Sequence, residues 1–117
     1  RKSHIPMIWT GGAVRAPRRI ETLCNQTDLP ATLLGQLGLP HDDFRFSRDI
    51  LSRTYTHPSA VHAWSEGIYF KDETGITVLN LLTKPVSTFR EDPQPSGRRT
   101  NAAKAFLQTA YDALGEL

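Results

Sequence analysis

The chain has 117 residues, 38% hydrophobic and 22% charged, which is the balance of a globular domain or a piece of one and not of a disordered segment. Its net charge of +2 is scattered over VRAPRR, RFSRDILSR and SGRR, which excludes the concentrated basic face of a nucleic-acid binder and leaves a solvated surface as the favoured reading. The single cysteine, Cys24, excludes an internal disulfide and a cysteine-cluster zinc site.

No apolar run approaches the roughly 18–20 residues of a membrane span, and RKSHIPMIWTGG has too short an apolar run for a signal peptide. The chain begins at Arg1, not at a Met, and is apolar within a few residues, as expected of a segment cut from a longer protein.

Ile5–Trp9 (IPMIW) is a continuous apolar run closed by Gly11 and Gly12, and it reads as a strand buried on both faces. AVRAPRRIETLC reads as a loop with a short strand near its end, and Cys24 as a small buried hydrophobe. QTDLPATLLGQLGLP (Gln26–Pro40) is the best-formed helix signal in the chain. Asp28 or Thr27 can accept the unpaired N–H groups of its first turn, where Pro30 is harmless. Leu29, Leu33, Leu34 and Leu37 fall on one face. Gly38 suits the left-handed conformation that ends a helix, with Leu39 folding back and Pro40 barring continuation. Such a helix is built to lie against a sheet by its leucine stripe.

HDDFRFSRDILS (41–52) reads as a polar loop anchored by Phe44, Phe46, Ile50 and Leu51. A β-hairpin follows, with one strand over about Ala60–Phe70, another over about Ile76–Leu82, and a turn at Asp72–Gly75. Val86–Phe89 suits a further short strand, and EDPQPSG breaks the pattern. The closing TNAAKAFLQTAYDALGEL is an amphipathic helix with Ala103, Phe106, Leu107, Ala110 and Leu114 facing the core. The chain thus divides into a strand–helix–loop piece (1–52), a hairpin region (53–91) and a final helix (92–117).

Chemistry-bearing residues are few. His41, Asp42 and Asp43 are of metal-binding type but directly follow a helix stop, and a metal site needs ligands converging from separate elements. No hydroxyl has a local base or a nucleophile elbow, and Gly11-Gly12 lacks the context of a phosphate loop. His57 sits before Pro58 in a turn, and His4 reads as a surface residue. His62, Trp64 and Glu66 alternate along one strand and would project from one face, which reads first as a half-exposed hairpin surface; if the hairpin forms a wall of an active site, these are the residues that would approach a substrate.

The order HIPMIWTGG, then QTDLPATLLGQLG, then FSRDIL resembles the carboxy-terminal part of the sulfatase family in the alkaline phosphatase superfamily, above all its lipoteichoic-acid-synthase-like, phosphoglycerol transferase branch. Ile5–Ile8 resembles that family's Ile-Pro-apolar strand. Asp28, Leu29, Thr32, Leu33, Leu34 and Gly38 match its helix motif, and Phe46, Arg48, Asp49, Ile50 and Leu51 match its third motif. Ala31 stands where proline is usual, with Pro30 one place earlier, and Ser47 stands where glycine is usual. The likeness is carried by about the first 50 residues and beyond them extends only to layout.

The resemblance implies an α/β fold, the carboxy-terminal part of an α/β/α sandwich. It also implies a parent enzyme that cleaves or transfers sulfate or phosphate esters using a divalent metal (zinc, manganese, magnesium or calcium). The family's nucleophile and metal ligands lie upstream of the matched strand, so this chain is expected to hold no catalytic or metal residue and to act as structural support. Its expected partners are the remainder of the catalytic domain and, for the isolated segment, a second copy, with no nucleic acid and no direct membrane contact. The parent is expected to be membrane-anchored with its catalytic domain on the periplasmic or extracytoplasmic side. An alternative is an independent, non-catalytic binding module for a sugar, an anion or a protein.

Overall fold

The computed structural model describes residues 4–83, 86–89 and 97–116. It consists of helices and one antiparallel sheet: a 3-10 turn at Gln26–Asp28, helix α1 (Leu29–Gln36), strands β1 (Ser59–Trp64), β2 (Gly67–Asp72), β3 (Ile76–Asn80) and β4 (Val86–Phe89), and helix α2 (Gly97–Gly115). The strands lie in sequence order, each antiparallel to the next.

The expected first hairpin strand is two strands, because the chain reverses at Ser65–Glu66 so that Trp64 pairs with Gly67. Gly67 marked this turn in the sequence, but the unbroken run of strand-forming residues on either side hid it. The turn after β2 forms where expected: Asp72 N–H donates to the Gly75 carbonyl, and the Asp72 carboxylate accepts the Thr74 and Gly75 N–H groups at 2.8 and 3.1 Å. β4 covers the expected Val86–Phe89. The EDPQP break expected between β4 and α2 lies outside the described residues, while α2 starts at Gly97, ahead of the expected Thr100.

One face of the sheet carries the core. Ile68 and Leu79, opposite each other on β2 and β3, pack against Ala103 of α2, with Val61, Phe70 and Leu107 around them. Arg99 is buried on the same side, its Nε donating to Thr77 Oγ1 at 3.0 Å and its guanidinium bonded to the Thr74 hydroxyl near Asp72. The far end of α2 overhangs this short sheet, so Phe106 and Leu114 are exposed, contrary to their expected core positions.

Larger departures lie at the amino-terminal end. Ile5–Trp9 forms no strand, and Ile5, Met7, Ile8 and Trp9 are all exposed, Ile8 at 81%. An apolar strand needs neighbours to satisfy its backbone, and none of the four sheet strands pairs with it. No strand forms in residues 13–24 either, and Cys24 is only half-buried.

Helix α1 ends as expected: Gly38 has φ of +68°, Leu39 N–H reaches the Leu34 carbonyl at 2.9 Å and Gly38 N–H the Gly35 carbonyl at 3.1 Å. Its buried face is only partly the expected one, however. Asp28, Ala31 and Thr32 are buried, while of the leucine stripe Leu29 and Leu34 are half-buried and Leu33 and Leu37 are exposed at 45% and 62%. Phe44 and Phe46 are likewise exposed, not buried anchors, although the Phe46 ring meets Phe106 edge-on at 6.1 Å. The radius of gyration, 16.0 Å, exceeds the about 13 Å of a compact domain of this length, as a chain with so much apolar surface turned outward must.

Candidate functional site

A dense polar network lies where α1, the loop after it and the start of β1 meet. Asp28, 1% exposed, is its centre. The Asp28 carboxylate accepts the Asn25 N–H at 2.8 Å, the Arg48 N–H at 3.0 Å, and the Arg48 guanidinium through Nε at 3.0 Å and a terminal nitrogen at 2.8 Å. It therefore does not cap α1 as expected. That duty falls to Ser47, whose hydroxyl accepts the Ala31 N–H at 2.9 Å. Ser47 is one of two positions, with Ala31, at which the sequence differs from the motifs it resembles, and its hydroxyl supplies a helix cap. Thr32 continues the buried polar stripe, its hydroxyl donating to the Asp28 carbonyl at 2.7 Å and accepting the Ile50 N–H at 3.2 Å.

Arg48 carries the network to the sheet, donating to the Ser59 hydroxyl at 2.7 Å and the Ser59 carbonyl at 2.9 Å while lying over the Tyr55 ring at 5.0 Å. Burial works against its charge, but the hydrogen bonds and charge of Asp28 outweigh burial and hold the guanidinium above its ordinary pKa. Tyr55 donates to the Leu23 carbonyl at 2.8 Å, and burial pushes its phenol pKa up. Burial, then the nearby Asp28 charge, likewise push the Cys24 thiol up, so Cys24 is disfavoured as a thiolate. Asn25 closes the open edge of β1: its side-chain amide donates to the Val61 carbonyl at 2.6 Å and accepts the Val61 N–H at 2.7 Å, standing in for a further strand.

Beside this network lies a cleft of about 480 Å³, bordered by Arg48 and Ser59 and lined by His41, Asp49, Thr54, Tyr55, Thr56 and His57. Its volume is in the range of small-molecule sites. No hydroxyl among the described residues is hydrogen-bonded to a histidine, and Ser52 and Thr54 bond only each other's hydroxyls, at 2.8 Å, and nearby backbone. Neither of these hydroxyls is therefore hydrogen-bonded to a base among the described residues.

The sequence-selected residues fall elsewhere. His62 and Trp64 share a face of β1, their rings 6.3 Å apart and 24° from parallel, and Tyr69 joins them from β2 at 5.6 Å from His62. Glu66 is not on that strand but in the β1–β2 turn, where its carbonyl accepts the Leu81 N–H at 2.8 Å. The Trp64 indole lies over Gly67, where a β-carbon would stand 2.4 Å from it. His4 is exposed, and His57 borders the cleft. His41 lines the cleft half-buried, whereas Asp42 and Asp43 are exposed. Among the described residues no three His, Cys, Asp or Glu side chains stand close enough to hold a metal ion. No helix among them is long and apolar enough to cross a membrane.

Sequence reasoning missed the cleft. The signals available were the run of hydroxyls and histidine from Ser52 to Ser59 and the opposite charges of Asp28 and Arg48, one in each matched motif. Comparisons with known protein families, with curated proteins and with solved structures found no match for this chain.

Proposed function

We propose that this chain is a supporting carboxy-terminal segment of a metal-dependent catalytic domain of the sulfatase and phosphoglycerol transferase type, cleaving or transferring sulfate or phosphate esters. The observation that carries the reading is the outward-facing apolar surface: Ile5, Met7, Ile8 and Trp9, together with Leu33, Leu37 and Leu39 of the helix region, are all more than a third exposed. Apolar surface of this extent marks a contact with other protein, and it falls on two of the three stretches that resemble the family. On this reading the rest of an α/β/α sandwich covers it, Ile5–Trp9 becomes a strand when its neighbours are present, and the Asp28–Arg48 pair clamps the second matched stretch to the third. The divalent metal and the nucleophile belong to the rest of the catalytic domain. That domain sits outside the cytoplasmic membrane on an anchored parent, and the isolated segment covers the same surface by self-association.

The test is to express the complete natural reading frame and measure release of nitrophenol from its phosphate and sulfate esters, with and without a chelator. Metal-dependent turnover by the complete protein and none by this chain alone is expected. Turnover by the 117 residues alone, or a complete protein with no metal-binding residues ahead of this stretch, would overturn it. A binding module is the second reading, and the cleft between α1 and β1 is the observation in its favour.

A further inference from the structure

We infer that the cleft beside the Asp28–Arg48 pair is a binding site for a neutral, many-hydroxyl ligand of sugar-ring size. The choice follows from which polar groups remain unengaged. Arg48, the one guanidinium among the described residues that border the cleft, directs all but one of its N–H bonds to Asp28 and Ser59, and its charge is matched by a carboxylate that is almost fully buried. It orders the wall and offers little to an anion.

The side chains of His41, Thr56 and His57 line the cleft and make no hydrogen bond among the described residues, while Asp49 adds a carboxylate and Thr54 a hydroxyl. An imidazole ring brings two nitrogens that can hydrogen-bond a ligand's hydroxyls, and a hydroxyl can both donate and accept. Such a set matches sugar hydroxyls, which also donate and accept. A phosphate or sulfate would require donors alone and would meet the Asp49 carboxylate.

Tyr55 supplies an aromatic wall fixed at its hydroxyl by Leu23, and the space, about 480 Å³, admits a pyranose ring with room for a substituent. The assignment is independent of the supporting-segment reading, since a parent enzyme could be active with this cleft empty.

The experiment is a titration of the full chain, followed by amide chemical shifts, with the methyl glycosides of glucose, galactose and mannose and separately with inorganic phosphate. At least one glycoside is expected to produce saturable shifts clustered at His41, Thr54, Thr56 and His57, with a millimolar Kd. His57→Ala and Thr56→Ala, both at exposed positions, should each weaken it roughly tenfold while leaving the remaining spectrum unchanged. The assignment is overturned if all three glycosides leave the cleft silent into the tens of millimolar, if neither substitution weakens binding, or if phosphate saturates the cleft and the glycosides do not.

Discussion

Replacing Asp28 with asparagine keeps the side chain's volume and removes its charge. In the native chain the carboxylate receives four hydrogen bonds, one from Asn25 N–H and three from Arg48. Asparagine retains one acceptor oxygen, so in either orientation an amide NH2 faces donors that had been satisfied. Breaking a buried pair from one side costs about 3–5 kcal/mol. Arg48 keeps 39% of its side-chain surface in water and can recover some solvation, which places the expected cost near the lower end, about 3 kcal/mol. A chain with so small an apolar core has little stability in reserve. In urea, with a slope of about 1.5 kcal/mol per molar, the midpoint should fall by about 2 M. Amide exchange in α1 should accelerate most, since this network joins α1 to the loop that follows it. Arg48→Met and the double variant complete the cycle, and strong coupling between the two positions is expected. A midpoint shift under about 0.5 M, or additive effects of the two substitutions, would refute the claim that this pair holds α1 in place.

Ser47→Gly, which restores the family's usual residue, should cost about 1 kcal/mol by leaving the Ala31 N–H without its acceptor, read as a lower urea midpoint. Gly67→Ala should displace the Trp64 indole, since the added carbon would stand 2.4 Å from the ring and 2.8 Å from the Leu79 carbonyl. A shift in tryptophan emission and a loss of about 1–3 kcal/mol are expected. Burial opposes the Asp72 charge, but hydrogen bonds from Thr74 and Gly75 and the Arg99 charge prevail and hold its pKa below the ordinary carboxylate value. Unfolding in acid therefore takes up a proton at this group. Its stabilising contribution is full above the unfolded carboxylate pKa and is lost as pH falls through the folded one. Asp72→Asn should flatten the acid limb of a stability-against-pH profile.

Local signals were legible in the sequence. The helix stop at Gly38, the Asp72–Gly75 turn, the Val86–Phe89 strand and the amphipathic closing helix all follow from backbone preference and short-range hydrogen bonding, which a few neighbouring residues settle. Periodicity also identified a helix from Leu29, but it identified its buried face only in part, since Leu29 and Leu34 are half-buried and Leu33 and Leu37 are exposed. Four leucines at helical spacing indicate an apolar stripe and not what covers it, whereas Asp28, Ala31 and Thr32 find hydrogen-bonding and packing partners some 15–20 residues further along the chain.

The sequence by itself determined where the two helices, the Asp72–Gly75 turn and the strands at Ile76–Asn80 and Val86–Phe89 form, because those depend on residues a few places apart. Only the tertiary structure decided that a carboxylate and a guanidinium would join α1 to the loop that follows it. The same is true of the splitting of the first hairpin strand at Ser65–Glu66, and of the meeting of His41 and His57 across one cleft. Those outcomes rest on contacts between distant segments, whose energies outweigh local preference and leave no periodic trace in the chain.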